Sequence, residues 1–467
     1  MILKRYDKIM KRFLTALLAC MCILCMSAVG TAAPTNPIIK ESDRFDEIPE
    51  ILRFRQTESG RIEINQHFYA RHLLPETAVR NVNDEIGRRV LEMEQKAVEF
   101  ITPLSGDRQE AELDTGAMIQ RTGKKIMSFE IIAAGQVNNE QVYVDVDAYV
   151  YDMEDGRRIT PDDLFDPESE AWEILENRTR EQLEACFPDT EADAETLERL
   201  SSPEHLSVTP FTMTPGRLIF HYRADELYEG RNTLINVEIW YPEIEQYMKE
   251  EIRSQTVNTC YRLAALTFDD GPAKGSTNLL IYKLMKYGVT ATFFNVGSNV
   301  VKRSPGAVCR EHDLCFDVGS HGYEHEVKVR NVEQGRELLE KTDELYLKML
   351  GVRPVLFRAP GGNFGMYKKA GNDLPMIKWS VSCGDTTGST DEEIIMTLSG
   401  RPNAGDIVLM HDLSNNSSRY MEECLPALEN RNILFVTVRE LCSIYGLELN
   451  SEDIVTGCEE QVVELLK

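Results

Sequence analysis

The chain has 467 residues, of which 42% are hydrophobic and 27% charged, and its formal net charge at pH 7 is -26. This composition is too apolar for a disordered chain and carries no repeat bias, and the length predicts two folded domains plus processing segments. The negative charge repels phosphate backbones and argues against nucleic acid as a partner, whereas a neutral or amine-bearing polymer meets no such barrier.

The first 33 residues have the pattern of an export signal. A basic stretch through Arg12 is followed by the apolar run Phe13 to Val29 and then by small residues up to Ala33. The apolar run suits either cleavage near Ala32 or retention as a membrane anchor, so both outcomes stay open. In either case we expect an extracytoplasmic protein that is secreted, cell-wall associated or anchored to the membrane. Residues 34–45 are predicted to form a linker.

Cysteine usage fits export but does not indicate a pairing. Three of the eleven cysteines lie in the predicted signal, and many connectivities are open to the other eight, which are Cys186, Cys260, Cys309, Cys315, Cys383, Cys424, Cys442 and Cys458. The exported part contains no C-x-x-C pair, which argues against a thiolate zinc site or a redox motif.

Residues 46–255 mix helix and strand signals. Thr77 to Phe100 places apolar residues on one face at helical spacing, and Val142 to Val150 alternates apolar and polar residues as a half-buried strand does. Thr160 before Pro161 predicts a helix start, and two further strands are expected at Leu218–Tyr222 and Leu234–Trp240. This block is therefore predicted to be a smaller α+β domain.

From Leu263 onward, short strands alternate with helices. Helices are predicted at Asn278–Tyr287 and Asn331–Leu350; strands are predicted at Leu263–Phe268, Ala291–Val296, Phe316–Gly319, Val355–Arg358, Ile377–Val381 and Ile407–His411. Such alternation builds a parallel sheet or barrel, in which functional residues lie at the carboxyl ends of the strands.

Polar clusters follow these predicted strands. They are Thr267-Phe268-Asp269-Asp270-Gly271-Pro272, His321-Gly322-Tyr323-Glu324-His325, Arg358-Ala359-Pro360-Gly361-Gly362, Asp385 after WSVSCG, and Leu409-Met410-His411-Asp412. Each alone reads as a surface feature, but in one parallel fold they converge on one face. Histidines four apart on one helical turn can both reach one cation.

This ordered set resembles the NodB-homology polysaccharide deacetylases, carbohydrate esterase family 4, from Leu263 to about Tyr445. TFDDGP and IVLMHD are the most specific of its motifs. The resemblance implies a distorted (β/α) barrel of about seven strands. We place this deacetylase domain at residues 256–450, with residues 451–467 as a C-terminal tail. The implied activity is metal-dependent hydrolysis of N-acetyl groups from a polysaccharide, with cell-wall peptidoglycan as the expected substrate.

By this resemblance the metal ligands are Asp270, His321 and His325, and the ion is zinc, with cobalt as an alternative. One carboxylate and two imidazoles leave positions open for water and substrate, as a catalytic metal site requires.

The catalytic roles also follow from the family pattern. Asp269 is the base and Arg358 holds its carboxylate, while His411 is the acid and Asp385 orients it and keeps it protonated. The backbone N–H of Gly361 is expected to face the oxyanion of the tetrahedral intermediate.

Leu409 is expected to line the pocket for the acetyl methyl group. The chain departs from the family pattern at four positions: Gly322 replaces Ser or Thr, Gly361 a Tyr, Ser382 an acid and Thr386 a Trp. None of these removes an implied ligand, base or acid, but the lost aromatic side chains open the groove.

Residues 46–255 also carry a looser resemblance. The phrase YVYDMEDGRRITPDDLF and a closing helix, IWYPEIEQYMKEEI, resemble the extracytoplasmic domain of some Gram-positive wall deacetylases and of lysozyme-sensing anti-sigma factors. This block has no catalytic motif, and its histidines are interpreted as surface or packing residues: His67, His72, His205 and His221.

Two other functions share these features. A deacetylase of O-acetylated xylan, or of chitin-type polymers, would use the same metal centre. An inactive wall-binding or sensor protein would be expected to lose a metal ligand or the base first, yet Asp269, Asp270, His321, His325 and His411 are all present.

Overall fold

The computed structural model describes residues 45–106, 109–256, 261–325 and 328–465. The predicted export signal, nearly all of the predicted linker, and Cys260 lie outside the described residues. Within them, no helix combines the length and the apolar character needed to cross a membrane.

The described part of the amino-terminal half contains the following elements. Its strands are β1 Phe54–Glu58, β2 Ile62–Asn65, β3 Phe68–Thr77, β4 Ala111–Thr122, β5 Ile126–Val137, β6 Glu140–Asp152, β7 Arg157–Ile159, β8 Phe211–Met213, β9 Arg217–Arg223 and β10 Leu234–Trp240. Its α-helices are α1 Arg80–Ile101, α2 Pro161–Leu164, α3 Ala171–Ala185, α4 Ala194–Ser201, α5 Pro203–Leu206, α6 Tyr241–Ile244 and α7 Glu250–Thr256.

The carboxy-terminal half continues the numbering. Its strands are β11 Arg262–Asp269, β12 Thr292–Asn295, β13 Asp317–Ser320, β14 Met376–Ile377, β15 Val381–Ser382, β16 Ile407–His411, β17 Ile433–Val436 and β18 Ile454–Val455. Its α-helices are α8 Ser276–Lys286, α9 Gly297–Lys302, α10 Pro305–Asp313, α11 Val332–Leu350, α12 Gly365–Lys369, α13 Asp391–Gly400, α14 Asn415–Asn430, α15 Val438–Ile444 and α16 Glu459–Leu465.

Most elements predicted for the amino-terminal half are confirmed. Helix α1 buries the apolar stripe that indicated it, and β6, β9 and β10 contain the predicted strands. Thr160 and Asp163 form a capping box at the start of α2, so this helix begins where the sequence indicated. The sheet has the order β1-β3-β4-β5-β6-β7, and β2 pairs with β3.

The closing helix predicted over IWYPEIEQYMKEEI was wrong. Ile239 and Trp240 pair with β9 and so belong to strand β10. The residues that follow form the one-turn helix α6, a 3-10 turn and then α7, and not one continuous helix.

The carboxy-terminal half is a distorted (β/α) barrel. The strands β13, β12, β11, β16 and β15 pair side by side in parallel, and β17 pairs with the first half of β11. Isolated parallel bridges from Ser320 to Phe357 and from Phe357 to Met376 connect β13 to β14. Residues 376–382 then lead from β14 to β15.

Two predicted barrel strands are reduced in the structure. Val355–Arg358 keeps only the bridges at Phe357, and Ile377–Val381 is divided between β14 and β15. The carbonyl oxygens of Ile377 and Lys378 accept hydrogen bonds from the Arg358 side chain, at 3.2 and 2.7 Å. These two carbonyl oxygens therefore accept hydrogen bonds from the Arg358 side chain, and the ladder of the predicted strand is interrupted there.

Residues 451–467, expected to be a tail, belong to the fold as far as they are described. Strand β18 pairs in parallel with β14, and the apolar core includes Val455, Cys458 and Val462. The pairing partner, β14, lies more than 70 positions earlier in the chain, so local sequence carried no signal of it.

The two halves share their apolar packing. One core cluster contains Phe129 and Ile131 together with Ala265 and Ile407, and the described residues from Phe45 onward form a single compact unit. Apolar faces of the two halves therefore cover one another, and the predicted division into two domains stays a prediction. The predicted boundary at residues 255 and 256 stays a prediction.

A buried charge network also joins the halves. Arg439 at the start of α15 donates to both carboxylate oxygens of Glu238, each at 2.8 Å, and to Asp317, which is fully buried. Burial opposes ionisation of Glu238, but Arg217 and Arg439 lower the pKa of its carboxyl to about 2. Arg439, Glu238 and Asp317 therefore depend on one another to offset the cost of burying their charges.

Replacing Arg439 with Ala is expected to destabilise the protein by about 3–5 kcal/mol, because Asp317 and Glu238 would lose the guanidinium hydrogen bonds that offset their burial. The measurement is the free energy of unfolding from urea titration. The control is Arg419→Ala, which breaks a surface ion pair with Asp391 and is expected to cost under about 1 kcal/mol. Equal effects for the two variants would contradict the interpretation of the network.

Candidate active site

The polar clusters lie at one edge of the barrel because their strands are parallel neighbours. Asp269 is the last residue of β11, His321 directly follows β13, and His411 is the last residue of β16. In the β11–β16 ladder, Asp269 lies opposite His411. The predicted base and the predicted acid therefore stand side by side.

Asp270, His321 and His325 come together as predicted. Oδ1 of Asp270 lies 3.4 Å from Nε2 of His321 and 3.2 Å from Nε2 of His325. One ligand atom from each residue lies within 4.8 Å of the other two. A carboxylate and two imidazoles at this separation form a donor set that a divalent cation fits.

The surrounding contacts prepare this group for a cation. Nδ1 of His321 donates to the carbonyl oxygen of Arg358 at 2.7 Å, which leaves the lone pair of Nε2 directed at Asp270. Oδ1 of Asp270 is buried and has no hydrogen-bond partner among the described residues. A buried carboxylate oxygen facing two imidazole nitrogens is the arrangement that a bound cation completes.

The backbone of Asp270 is held in an unusual conformation. Its φ is +71°, in the left-handed region that non-glycine residues rarely adopt, and its carbonyl accepts a hydrogen bond from Asn299 at 2.9 Å. Burial alone would raise the pKa of the Asp270 carboxyl, but the neighbouring imidazole rings of His321, His325 and His411 hold it below its ordinary value. The carboxylate form needed for metal binding is thereby favoured.

The predicted helical turn across His321 and His325 was wrong. Residues 321–325 form an irregular loop, and Gly322 has a φ of +75°. This left-handed position reverses the chain between the two histidines, so both rings reach Asp270 without a helix. Ser or Thr at position 322 would be strained in this conformation.

Asp269 and Arg358 form a buried ion pair. Nη1 of Arg358 donates to Oδ1 of Asp269 at 2.8 Å and to the hydroxyl of Thr267 at 2.7 Å. The other oxygen of Asp269, Oδ2, lies 3.9 Å from Nε2 of His321 and thus faces the Asp270–His321–His325 group. One carboxylate oxygen is held while the second is available for chemistry.

Thr267 is a positioning residue that the sequence analysis missed. It lies two positions before Asp269 on β11, so both side chains point to the same face of the strand. Its hydroxyl donates to the carbonyl of Val408 while it accepts from Arg358. The period-two pattern within TFDDGP was the signal that could have identified it.

His411 and Asp385 pair as expected. Nδ1 of His411 lies 2.9 Å from Oδ1 of Asp385, and the His411 backbone N–H donates to Oδ2 at 2.7 Å. Burial would lower the pKa of His411, but the hydrogen bond and charge of Asp385, with the charges of Asp269 and Asp270, raise it above its ordinary value. A proton is therefore retained on the ring to higher pH.

Gly361 and Leu409 lie close to these residues in the chain, and their expected roles stay predictions. Gly361 is exposed in the short 3-10 turn Pro360–Gly362, which directly follows Arg358 and Ala359. Leu409 is buried in β16, opposite Thr267 on one side and Ser382 on the other. Thr386 follows Asp385 at the same edge.

Asp412 was named in the last polar cluster, but no sequence pattern indicated its buried contacts. Asp412 accepts a hydrogen bond from Thr277 and donates its backbone N–H to the carbonyl of Asp269 at 2.8 Å. Burial raises the pKa of the Asp412 carboxyl to about 7. Because Asp412 directly follows His411, its packing fixes the end of β16.

The amino-terminal histidines take part in packing contacts where the structure shows them. His72 pairs with Glu94 at 2.7 Å, and His205 stacks on Tyr222. His221 is buried with Glu130 and Cys315 near it, but both ring nitrogens already contact Thr212 and Asn236.

Comparison with known proteins agrees with this geometry. The polysaccharide deacetylase profile matches residues 256–375. A peptidoglycan-N-acetylglucosamine deacetylase of Bacillus cereus is 31% identical over 196 residues, which cover 38% of this chain and 88% of that protein. The chain belongs to the polysaccharide deacetylase family.

Two further relatives are informative. Peptidoglycan-N-acetylglucosamine deacetylase PgdA of Listeria monocytogenes is 26% identical over 305 residues, covering 64% of each chain, so the match extends into the amino-terminal half. The chain thus spans somewhat less than two thirds of the length of that relative. A bifunctional xylanase/deacetylase of Pseudobutyrivibrio xylanivorans is 32% identical over 196 residues, covering 41% of this chain and 32% of that protein.

Removing a ligand is expected to abolish tight metal binding. Asp270→Ala should weaken zinc binding by more than about 100-fold, because loss of even an outer-sphere partner commonly costs 10- to 100-fold. Calorimetric titration of the metal-free protein measures this. Glu324→Gln, which removes a nearby half-exposed carboxylate, is the control and should bind zinc as the unaltered chain does. Unchanged affinity in Asp270→Ala would contradict the ligand assignment.

Proposed function

We propose that the chain is an extracytoplasmic, zinc-dependent enzyme that removes N-acetyl groups from the glycan strands of peptidoglycan. The observation that carries this proposal is the placement of Asp269 and His411 side by side at the barrel edge that also carries the Asp270–His321–His325 group, each held by its own charged partner. Amide hydrolysis needs this combination of a base, an acid and an electrophilic centre.

The donor set supports zinc, because two imidazoles and one carboxylate are typical of catalytic zinc sites, and cobalt accepts the same ligands. When bound, the ion supplies Lewis acidity toward the amide carbonyl and lowers the pKa of a coordinated water. Asp270, His321 and His325 would hold it.

Asp269 is proposed to take the proton from the attacking water through Oδ2. Its Oδ1 stays hydrogen-bonded to Arg358, so the carboxylate keeps one orientation while it changes charge. The backbone N–H of Gly361 is proposed to donate to the developing oxyanion, as the turn after Arg358 permits.

His411 is proposed to donate a proton to the departing amine nitrogen. Asp385 accepts from Nδ1 and thereby leaves the Nε2 proton directed into the site. Since an amine leaves poorly without a proton, this step decides whether the tetrahedral intermediate goes forward to acetate and amine. Buried Leu409 is proposed to face the acetyl methyl group.

The substrate is inferred from relatives and charge. Relatives from Bacillus cereus and Listeria monocytogenes carry the name peptidoglycan-N-acetylglucosamine deacetylase, and the net charge of -26 favours a polymer that gains amines over a polyanion. The predicted signal would deliver the chain to the wall, either released or anchored. The resemblance of residues 46–255 to wall-associated extracytoplasmic domains supports the same location.

Acetylated xylan is a second candidate, because the xylanase/deacetylase relative matches with 32% identity. Purified peptidoglycan, chitooligosaccharides and acetylated xylan should therefore be compared by acetate release. We expect release from peptidoglycan, with mass spectrometry of muropeptides showing free amines. Release from xylan alone would overturn the proposed substrate.

Asp269→Asn is expected to lower turnover by about 100- to 10,000-fold, since it removes the base while keeping the shape of the side chain. Zinc binding should persist because Asp270 and both histidines remain. Turnover is measured on muropeptides by mass spectrometry, and zinc content on the same sample. A rate close to that of the unaltered enzyme would refute the assignment of the base.

Asp385→Asn is expected to move the alkaline limb of the kcat/KM profile to lower pH. Asp385 raises the pKa of His411, and activity falls as pH rises through that pKa because the acid loses its proton. Without the carboxylate this loss begins earlier. Asp391→Asn, which alters a surface carboxylate, should leave the profile in place. An unshifted limb in Asp385→Asn would show that His411 is not the acid.

A further inference from the structure

Two buried cysteines meet near the end of the chain. Cys442 lies in α15, Cys458 directly precedes α16, and their sulfur atoms are 3.8 Å apart. Both residues are fully buried. Of the seven cysteines that the structure describes, these are the two whose sulfur atoms are in contact.

The backbone around Cys458 is closely fixed. Its N–H donates to the carbonyl of Gly405 at 2.8 Å, and its own carbonyl accepts from Val462 at 3.0 Å. Gly405 has a φ of +87°, and a Cβ atom there would lie 2.9 Å from the carbonyl carbon of Cys458. The position of Cys458 beside Cys442 is therefore fixed by close packing of its backbone.

We propose that Cys442 and Cys458 form a disulfide bond in the exported protein. A bonded pair needs an S–S distance of about 2.05 Å, so the two sulfur atoms would approach one another from their 3.8 Å contact as the bond forms. The proposal rests on the export proposed above, since disulfides persist in oxidising compartments.

The oxidant is an extracytoplasmic thiol oxidase that carries a disulfide. By thiol–disulfide exchange, the S–S bond of the donor breaks and an S–S bond forms between Cys442 and Cys458. Two electrons pass to the donor, and the two thiol protons of the pair end on its two sulfur atoms. Because both thiols are buried in the finished fold, exchange takes place before α16 docks.

The bond would hold a segment that supports the active site. Val455, three residues before Cys458, accepts a hydrogen bond from the N–H of Lys378 at 2.7 Å. The carbonyl of Lys378 in turn accepts from Arg358, which holds Asp269. The disulfide thus acts on the base through positioning residues, by keeping β18 beside β14.

The first experiment is peptide mapping of the full chain exported to a bacterial periplasm and alkylated before reduction. We expect a cross-linked peptide pair joining Cys442 to Cys458 that disappears after reduction. Alkylation of both thiols in the unreduced protein, or a different pairing, would overturn the proposal. This readout does not depend on deacetylase activity, so a failure of the proposed function would not affect it.

The second experiment compares Cys442→Ser, Cys458→Ser and the double variant, with Cys309→Ser as a control for loss of a half-buried cysteine. Each variant that lacks the bond should melt at least about 3 °C lower, and the double variant no lower than either single one. Reductant should lower the Tm of the unaltered chain and leave the Tm of the variants unchanged. If the Tm losses of the two single variants add up in the double variant, and reductant does not lower the Tm of the unaltered chain, then the two thiols only pack together and form no bond.

Activity provides a readout that stability alone would not move. Unaltered chain that has been reduced while unfolded and refolded with reductant should show, well below the Tm, a several-fold lower kcat and an unchanged KM, because the position of Asp269 and not substrate binding is affected. The same treatment should leave kcat unchanged in Cys442→Ser. A fall in kcat of equal size in both proteins would overturn the positioning role.

Discussion

The guanidinium group of Arg358 is the constraint on which the site depends. It is fully buried and donates four hydrogen bonds, to Thr267, Asp269, Ile377 and Lys378. Its own backbone carbonyl also holds the ring of His321. A buried cation is stable only when its donors are satisfied, so its partners cannot move independently. The proposed base, a metal ligand and the interrupted strand between β14 and β15 are therefore fixed by one residue.

The convergence of the site residues was predictable because they lie in short motifs at strand ends. Residue type and order along TFDDGP, the two histidines, Arg358, Asp385 and the final His411 were enough to expect convergence, since parallel strands bring their carboxyl ends together. The contacts that support the site were less accessible. Thr267 was visible in a motif but had no obvious partner, and the pairing of β18 with β14 joins positions whose relation no local pattern shows.

Local patterns also failed where tertiary contacts outweighed them. Spacing of four suggested a helical turn at His321 and His325, but the left-handed Gly322 produces a loop that serves the same purpose. Alternation from Val142 to Val150 predicted one buried face of β6, yet only Ala148 and Val150 of its apolar positions are buried. Side chains of both faces, such as Val144 and Tyr143, are instead partly buried against core clusters. The periodicity of a sequence shows which of its residues are apolar. How much of a strand is buried depends on the elements that pack against it, and these can be distant in sequence.

The Arg439–Glu238–Asp317 network has a consequence for how such chains can be divided. A shortened protein that began at the family-profile match would keep Asp317 and Arg439 but lose Glu238, and it would uncover the apolar face that Phe129 and Ile131 help to cover. If the shortened protein were joined to an unrelated amino-terminal domain, the same contacts would be missing. The amino-terminal half of this chain thus completes buried contacts of the carboxy-terminal half, and the carboxy-terminal half is expected to lose stability without it.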